Sequence, residues 1–206
     1  MDRVIRYIRE TYEPLSVILY GSYASGTNDQ NSDFDAVVIT RDHAQYHDTS
    51  FVGDIQLDVF VYPADYFDGA YPCEEFMRIF DGQIITDTDD LGKKLRDSVL
   101  TYLENHPKKS PEEIKADVDW CLKMLERAKR GDAEGAFRFH WLLVDSLEIF
   151  CDIMHHPYFG PKKSLKWMEE AHPDAFDLYQ RALRDYTTDS LEKWVGYIKN
   201  TNDTPS

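Results

Sequence analysis

The chain has 206 residues, 42% of them apolar, and a formal net charge of −15 from 23 basic and 38 acidic residues. That length fits one large domain or two small ones, with enough apolar side chains for a packed core. No apolar run approaches the ~20 residues that cross a bilayer, so no membrane role is expected. The acidity argues against a long nucleic-acid partner, because phosphate contacts need clustered Lys and Arg. The excess is uneven: residues 1–106 hold 20 acids and 8 bases (−12), and residues 107–206 hold 18 acids and 15 bases (−3). An acidic cleft concentrates cations, which suits a cationic small molecule, although solubility alone also accounts for the charge. Cys73, Cys121 and Cys151 are odd in number and far apart. With a charged, amphipathic N-terminus lacking an apolar signal core, they predict a cytoplasmic protein with reduced thiols and no zinc pair.

Residues 2–12 predict a first helix, with Val4, Ile5, Ile8 and Tyr12 on one side and Pro14 closing it. LSVILYG (15–21) is a short apolar strand ended by glycine, and SYASG (22–26) starts a helix or turn. TNDQNS is a loop of turn formers. Two further strands are DFDAVVIT (33–40) and IQLDVFVYP (55–63). Residues 63–81 predict short helices starting near Pro63 and Pro72, residues 82–87 a fourth strand, and residues 90–106 a helix that stops before Pro107. After HPKKSP (106–111) only helical periodicity remains. Ser110-Pro-Glu-Glu is a helix start with an N-cap, proline at N1 and acids in the first turn. Helices are expected over 111–130, 132–156, 161–171, 173–185 and 188–200, and the tail from 201 is expected to fray.

The run GSYASGTNDQNSDFDAVVI (21–39) carries the chemistry. Glycine allows a backbone to come close to a phosphate, and N–H groups at a helix start favour anions. Asp33 and Asp35, two apart on a strand, point to one face, and Phe34 between them points into the core. Asp58 sits in the third strand opposite in direction to Leu57 and Val59, and joins the other two acids if its strand is adjacent. Three acids in strands made of Val, Ile, Leu and Phe are costly without cations, and Mg²⁺ takes oxygen ligands. Ser22 can donate to terminal phosphates. Ser32 reads equally as a phosphate contact or a turn residue.

The pattern Gly21, Ser22, Ala24, Gly26, Ser32, Asp33, Asp35 resembles the signature of the nucleotidyltransferase superfamily of DNA polymerase β-like enzymes, and Asp58 matches that family's later carboxylate. The resemblance covers about residues 15–62. It implies an α+β fold: a small mixed-sheet catalytic domain over 1–106, then an all-α helical bundle over 107–206 that binds the acceptor. It also implies that Gly21 and Ser22 hold a triphosphate and that Asp33, Asp35 and Asp58 bind two Mg²⁺ ions. The helical half is similar in architecture to antibiotic nucleotidyltransferases of the aminoglycoside and lincosamide type. The expected reaction is Mg²⁺-dependent transfer of a nucleoside monophosphate, AMP from ATP or another nucleoside triphosphate, to a hydroxyl of a small cationic acceptor.

Within the 132–156 helix, Arg138, Trp141, Asp145, Glu148, Asp152 and His155 fall at spacings of 3 and 4 and make one polar stripe. By the same resemblance Glu148 is the expected general base, with Asp145 in reserve; a solvated face is the alternative. Lys162 and Lys163, at a helix start in YFGPKKSLKW, are candidates for balancing triphosphate charge, or are ordinary surface lysines. His155-His156 before a proline reads as a helix end. Two other functions compete: a toxin–antitoxin-type enzyme that AMPylates a protein partner, and a nucleotide sensor without turnover. The ribonuclease partners of such systems carry Arg, four to six intervening residues, then His, a spacing missing from 107–206. A homodimer is left open.

Overall fold

The computed structural model describes residues 1–105 and 107–202. It divides into two compact units, Met1–His106 and Pro107–Ser206. The expected end of a helix at His106 and the tail 203–206 lie outside the described residues.

The first unit is an α+β sandwich built on a six-stranded mixed sheet. Its strands are β1 (Ser16–Leu19), β2 (Phe34–Thr40), β3 (Tyr46–Asp48), β4 (Phe51–Val52), β5 (Ile55–Pro63) and β6 (Gln83–Asp87). The order is β3-β5-β2-β1-β6, with β4 also paired to β5. Only β2 and β5 run parallel; the other pairs are antiparallel. The crossover from β2 to β5 therefore passes through β3 and β4, which pair back on β5 as a short edge.

Helices α1 (Asp2–Tyr12) and α3 (Leu91–Glu104) belong to different sides of this sheet, and α2 (Gly21–Ser25) follows β1. The strand period of two sorts the side chains. Phe34, Ala36, Val38, Leu57, Val59 and Val61 pack with Val4, Ile8 and Tyr12 of α1. Val37, Ile39 and Tyr62 pack with Phe76, Ile79, Leu95 and Val99. The latter four come from α3 and from a 3₁₀ helix, Cys73–Ile79, which follows a shorter one at Ala64–Phe67. Asp35 and Asp58 alternate onto the second face, ahead of Val37 and Phe60, and are partly exposed.

The elements expected from the sequence are present with ends moved by one to three residues, which is the reach of end fraying. The exception is β3 and β4. YHD and FV are too short to carry a period-two signal, and most of their residues are exposed. They form because β5 offers an edge to pair with, a reason that is tertiary.

The second unit is all-helical: α4 (Pro111–Ala128), α5 (Ala133–Ile153), α6 (Gly160–Ala171), α7 (Pro173–Asp185) and α8 (Thr188–Asn202). Helix α8 runs through Asn202, so residues 201 and 202 are helical rather than frayed. Ser110 caps α4 in a full capping box with Glu113, and the Asp132 side chain accepts from the Gly135 N–H at the start of α5. The core centres on Trp194, fully buried with Phe150, Leu142 and Leu191. Its Nε1–H donates to Ser146 Oγ at 2.9 Å, and the Tyr179 hydroxyl donates to the Leu143 carbonyl at 2.6 Å. Trp194→Ala should therefore cost about 3–5 kcal/mol in chemical denaturation, through the cavity and the lost hydrogen bond to Ser146. Trp194→Phe should cost clearly less, and equal losses for both would contradict that account.

Candidate nucleotide and metal site

The site is assembled by the parallel pairing of β2 and β5, which places Asp35 opposite Asp58 in register. Directly opposed like charges in a sheet repel. Asp35 meets that repulsion in addition to its partial burial. Burial first, then the charges of Asp58 and Asp33, raise its pKa from 3.8 to about 6, with Arg78 pulling the other way. Asp33 precedes β2, is exposed, and acts on Asp35 through its charge. Phe34 between them is fully buried on the α1 side of the sheet.

Gly21 closes the other side of Asp35. Its φ is +68°, and a Cβ built on it would lie 2.3 Å from Asp35 Oδ2. The glycine is thus needed for the approach of the aspartate itself, a tighter requirement than room for a phosphate. The Tyr20 N–H donates to the Asp35 carbonyl at 3.1 Å, which ties the turn to the strand. Ser22 is 7% exposed in the first turn of α2, and that helix ends at Gly26 with φ +69°. Ser32 is held in the loop between α2 and β2: its Oγ accepts from the Asp29 N–H at 2.9 Å and donates to Asp29 Oδ1 at 3.2 Å. Both bonds are those of a turn residue.

Two residues without a sequence signal stand beside the acids. His47 Nε2 lies 2.5 Å from Asp58 Oδ1. The guanidinium of Arg78 lies over Phe60, 4.9 Å from the ring centroid, and beside the Tyr20 hydroxyl. Both come from segments whose own pattern is uninformative, an edge strand and a 3₁₀ helix. Only their approach to β5 marks them.

Among the described residues no three His, Cys, Asp or Glu side chains converge as a ready metal cage. Mg²⁺ rarely uses one. It keeps several waters and takes one or two carboxylates, completing its shell with substrate phosphates. Paired oxygen donors at Asp35 and Asp58, with a backbone turn that no Cβ can enter, match that donor set and fit the ion.

In the second unit, Glu148 and Asp145 occupy the outer face of α5, Glu148 exposed and Asp145 partly so. Burial, then Asp152, raises the Glu148 pKa, while Lys109 opposes the rise. Lys109 bridges Asp117 at 2.7 Å and Asp152 at 2.8 Å. The stripe is less polar than its spacing implied, because Phe137 (61% exposed) and Val144 (67% exposed) share the outer face. Lys162 and Lys163 lie in the first turns of α6, Lys162 exposed and lining a groove with Phe176 and Leu183 of α7. His155 takes φ +53° just beyond α5, and His156 stacks on Trp167 at 3.9 Å, so both serve the helix end as expected.

The nucleotidyltransferase-domain family matches residues 1–114, more than half of the chain. The chain belongs to that family, and it is a nucleotidyltransferase enzyme of α+β fold with a helical C-terminal part. No curated protein matches it. Among solved structures it is similar to a nucleotidyltransferase-like protein from Exiguobacterium sibiricum, with 13% identity over 97% of this chain and 74% of that one and a TM-score of 0.45. It is also similar to the spectinomycin adenyltransferase AAD(9) from Enterococcus faecialis, solved with ATP and spectinomycin: 10% identity, 98% of each chain, TM-score 0.41. A toxin–antitoxin structure with AMP-PNP matches 57% of this chain and 94% of its own at 17% identity and a TM-score of 0.35. At these scores the family match carries the assignment.

Two outcomes follow from the geometry. A carboxyl whose folded pKa is raised favours its neutral form, so its contribution to stability is present below about 4 and is lost as pH rises through about 6. In metal-free buffer, Asp35→Asn should melt above wild type at pH 7.5, by on the order of 1 kcal/mol once solvent screening is allowed for. That advantage should shrink toward pH 4, and a pH-independent difference would contradict it. Gly21→Ala should lose about 1–2 kcal/mol to its left-handed backbone alone and more to the Asp35 clash. Combined with Asp35→Ala it should recover the second part, read as a coupling in a double-mutant cycle.

Proposed function

We propose that this enzyme transfers AMP from ATP to a hydroxyl of a small cationic acceptor, using Mg²⁺ held by Asp35, Asp58 and Asp33. The observation that supports it most is the in-register pair Asp35 and Asp58, packed against Gly21 inside the segment matched by the family. A carboxylate pair this close favours either a shared proton or a bound cation. The pKa of Asp35, raised by burial and by the charges of Asp58 and Asp33, reflects that crowding, and a bound cation would relieve it. When bound, Mg²⁺ supplies charge neutralisation at the phosphates and polarises the phosphoryl group under attack.

The chain's own residues do the rest. The Gly21–Ser22 turn presents backbone N–H groups and the Ser22 hydroxyl to the terminal phosphates. Asp58 would hold the ion together with Asp35, its in-register neighbour. Glu148 accepts the proton of the acceptor hydroxyl, its raised pKa bringing it closer to operating pH; Asp145, three residues before it, is the reserve base. Lys162 and Lys163 are proposed to offset triphosphate charge. The net charge of −12 on residues 1–106 and the acids Asp117, Asp145, Glu148 and Asp152 on α4 and α5 favour a cationic acceptor over a neutral one.

The test is an acceptor screen with ATP and Mg²⁺, read by pyrophosphate release. Aminoglycoside-like polyamines with free hydroxyls should give turnover, and chelation should abolish it. Asp35→Asn and Asp58→Asn should each lower kcat by at least about 10³, equivalent to several kcal/mol of lost transition-state stabilisation. Near-normal release by both would refute the assignment of the pair. Glu148→Gln should lower kcat by about 10²–10⁴ with little change in nucleotide binding. If Asp145→Asn is the variant that fails instead, the base is Asp145.

A further inference from the structure

The His47 side chain is exposed, yet it is held on several sides. Strand β3 places it directly opposite Phe60 of β5, two residues beyond Asp58 on the same sheet face. Its ring lies flat on Phe60, with centroids 4.1 Å apart and planes 6° from parallel. Phe60 in turn carries the Arg78 guanidinium. The next residue, Asp48, anchors the strand: it accepts from the Tyr12 hydroxyl of α1 and from the Ser50 N–H at 2.9 Å. Backbone and ring are thus both fixed, and Nε2 is aimed at Asp58 Oδ1 at 2.5 Å.

An ionised carboxylate only accepts, so the hydrogen lies on Nε2. Without that bond the partly exposed Asp58 carboxylate would be free to rotate away from Asp35 and relieve the repulsion between them. Holding a long exposed ring flat costs rotamer freedom. The stacking on Phe60 offsets it.

We infer that His47 is a positioning residue whose Nε2–H fixes the Asp58 carboxylate, so that its remaining lone pairs stay turned toward Asp35 as ligands for the ion. This rests on the nucleotidyl-transfer reading above. Groups that hold a ligating carboxylate typically matter 10–100-fold for metal affinity or activity.

The test uses the full chain, with Mn²⁺ in place of Mg²⁺ and a non-hydrolysable ATP analogue present. Unbound Mn²⁺ is counted by electron paramagnetic resonance. His47→Ala should weaken Mn²⁺ binding about 10–100-fold and raise the Mg²⁺ concentration for half-maximal pyrophosphate release, with the KM for ATP at saturating Mg²⁺ little changed. His47→Gln, which keeps an N–H donor of similar reach but cannot stack as a ring, should recover most of both. Wild-type Mn²⁺ affinity in His47→Ala would overturn the inference while leaving the reaction assignment standing. So would equal weakening in the Ala and Gln variants accompanied by equal loss of melting temperature, which would make His47 a packing residue only. If wild type itself binds no Mn²⁺ with the analogue, the nucleotidyl-transfer reading falls and this inference with it.

Discussion

The parallel pairing of β2 with β5 sets two carboxylates side by side, Asp35 opposite Asp58. A sheet gains nothing from that contact, since like charges in register oppose folding. The neighbouring pairs supply the compensation. Phe34 opposite Leu57, Ala36 opposite Val59 and Val38 opposite Val61 bury one apolar face under α1, and Val37 and Ile39 bury the other. The register is locked by those contacts, because a slip of one residue would turn every one of these side chains to the wrong face. The acid pair is carried into place by a core that does not depend on it.

That arrangement explains the environment of the pair. Gly21 is required because Asp35 fills the space where a Cβ would be. Arg78 and His47 approach from elements outside the signature and bring the nearby positive charge and the hydrogen bond that two adjacent acids need. A site built this way crowds two acidic groups together, and such crowding favours uptake of a proton or a cation.

The second unit is organised on different physics. Its helices are joined by apolar packing around Trp194 and by buried side-chain bonds from Trp194 and Tyr179. Its charges lie outside that core. The Lys109 bridges to Asp117 and Asp152 leave Asp145 and Glu148 as the acids of α5 without a salt bridge among the described residues. These partly exposed bridges set the local potential beside Glu148, whose pKa Lys109 lowers.

The sequence by itself determined the elements and the catalytic class. Alternation in β2 and β5, the glycine turn after β1 and the cap at Ser110 are local patterns with local causes, so they survive translation into structure with ends shifted by a few residues. Asp33, Asp35 and Asp58 were legible because acids in apolar strands are costly without a partner. Tertiary structure alone decided that β2 and β5 are parallel neighbours, and hence that Asp35 meets Asp58, since strand adjacency is set by packing across the sheet and leaves no local mark. It alone formed β3 and β4, brought His47 to Asp58 and Arg78 to Phe60, and set the Asp35 carboxylate against the α-carbon of Gly21. It also placed Phe137 and Val144 on the same outer face as Glu148, because a helix wheel gives relative phase while burial depends on what the other helices cover.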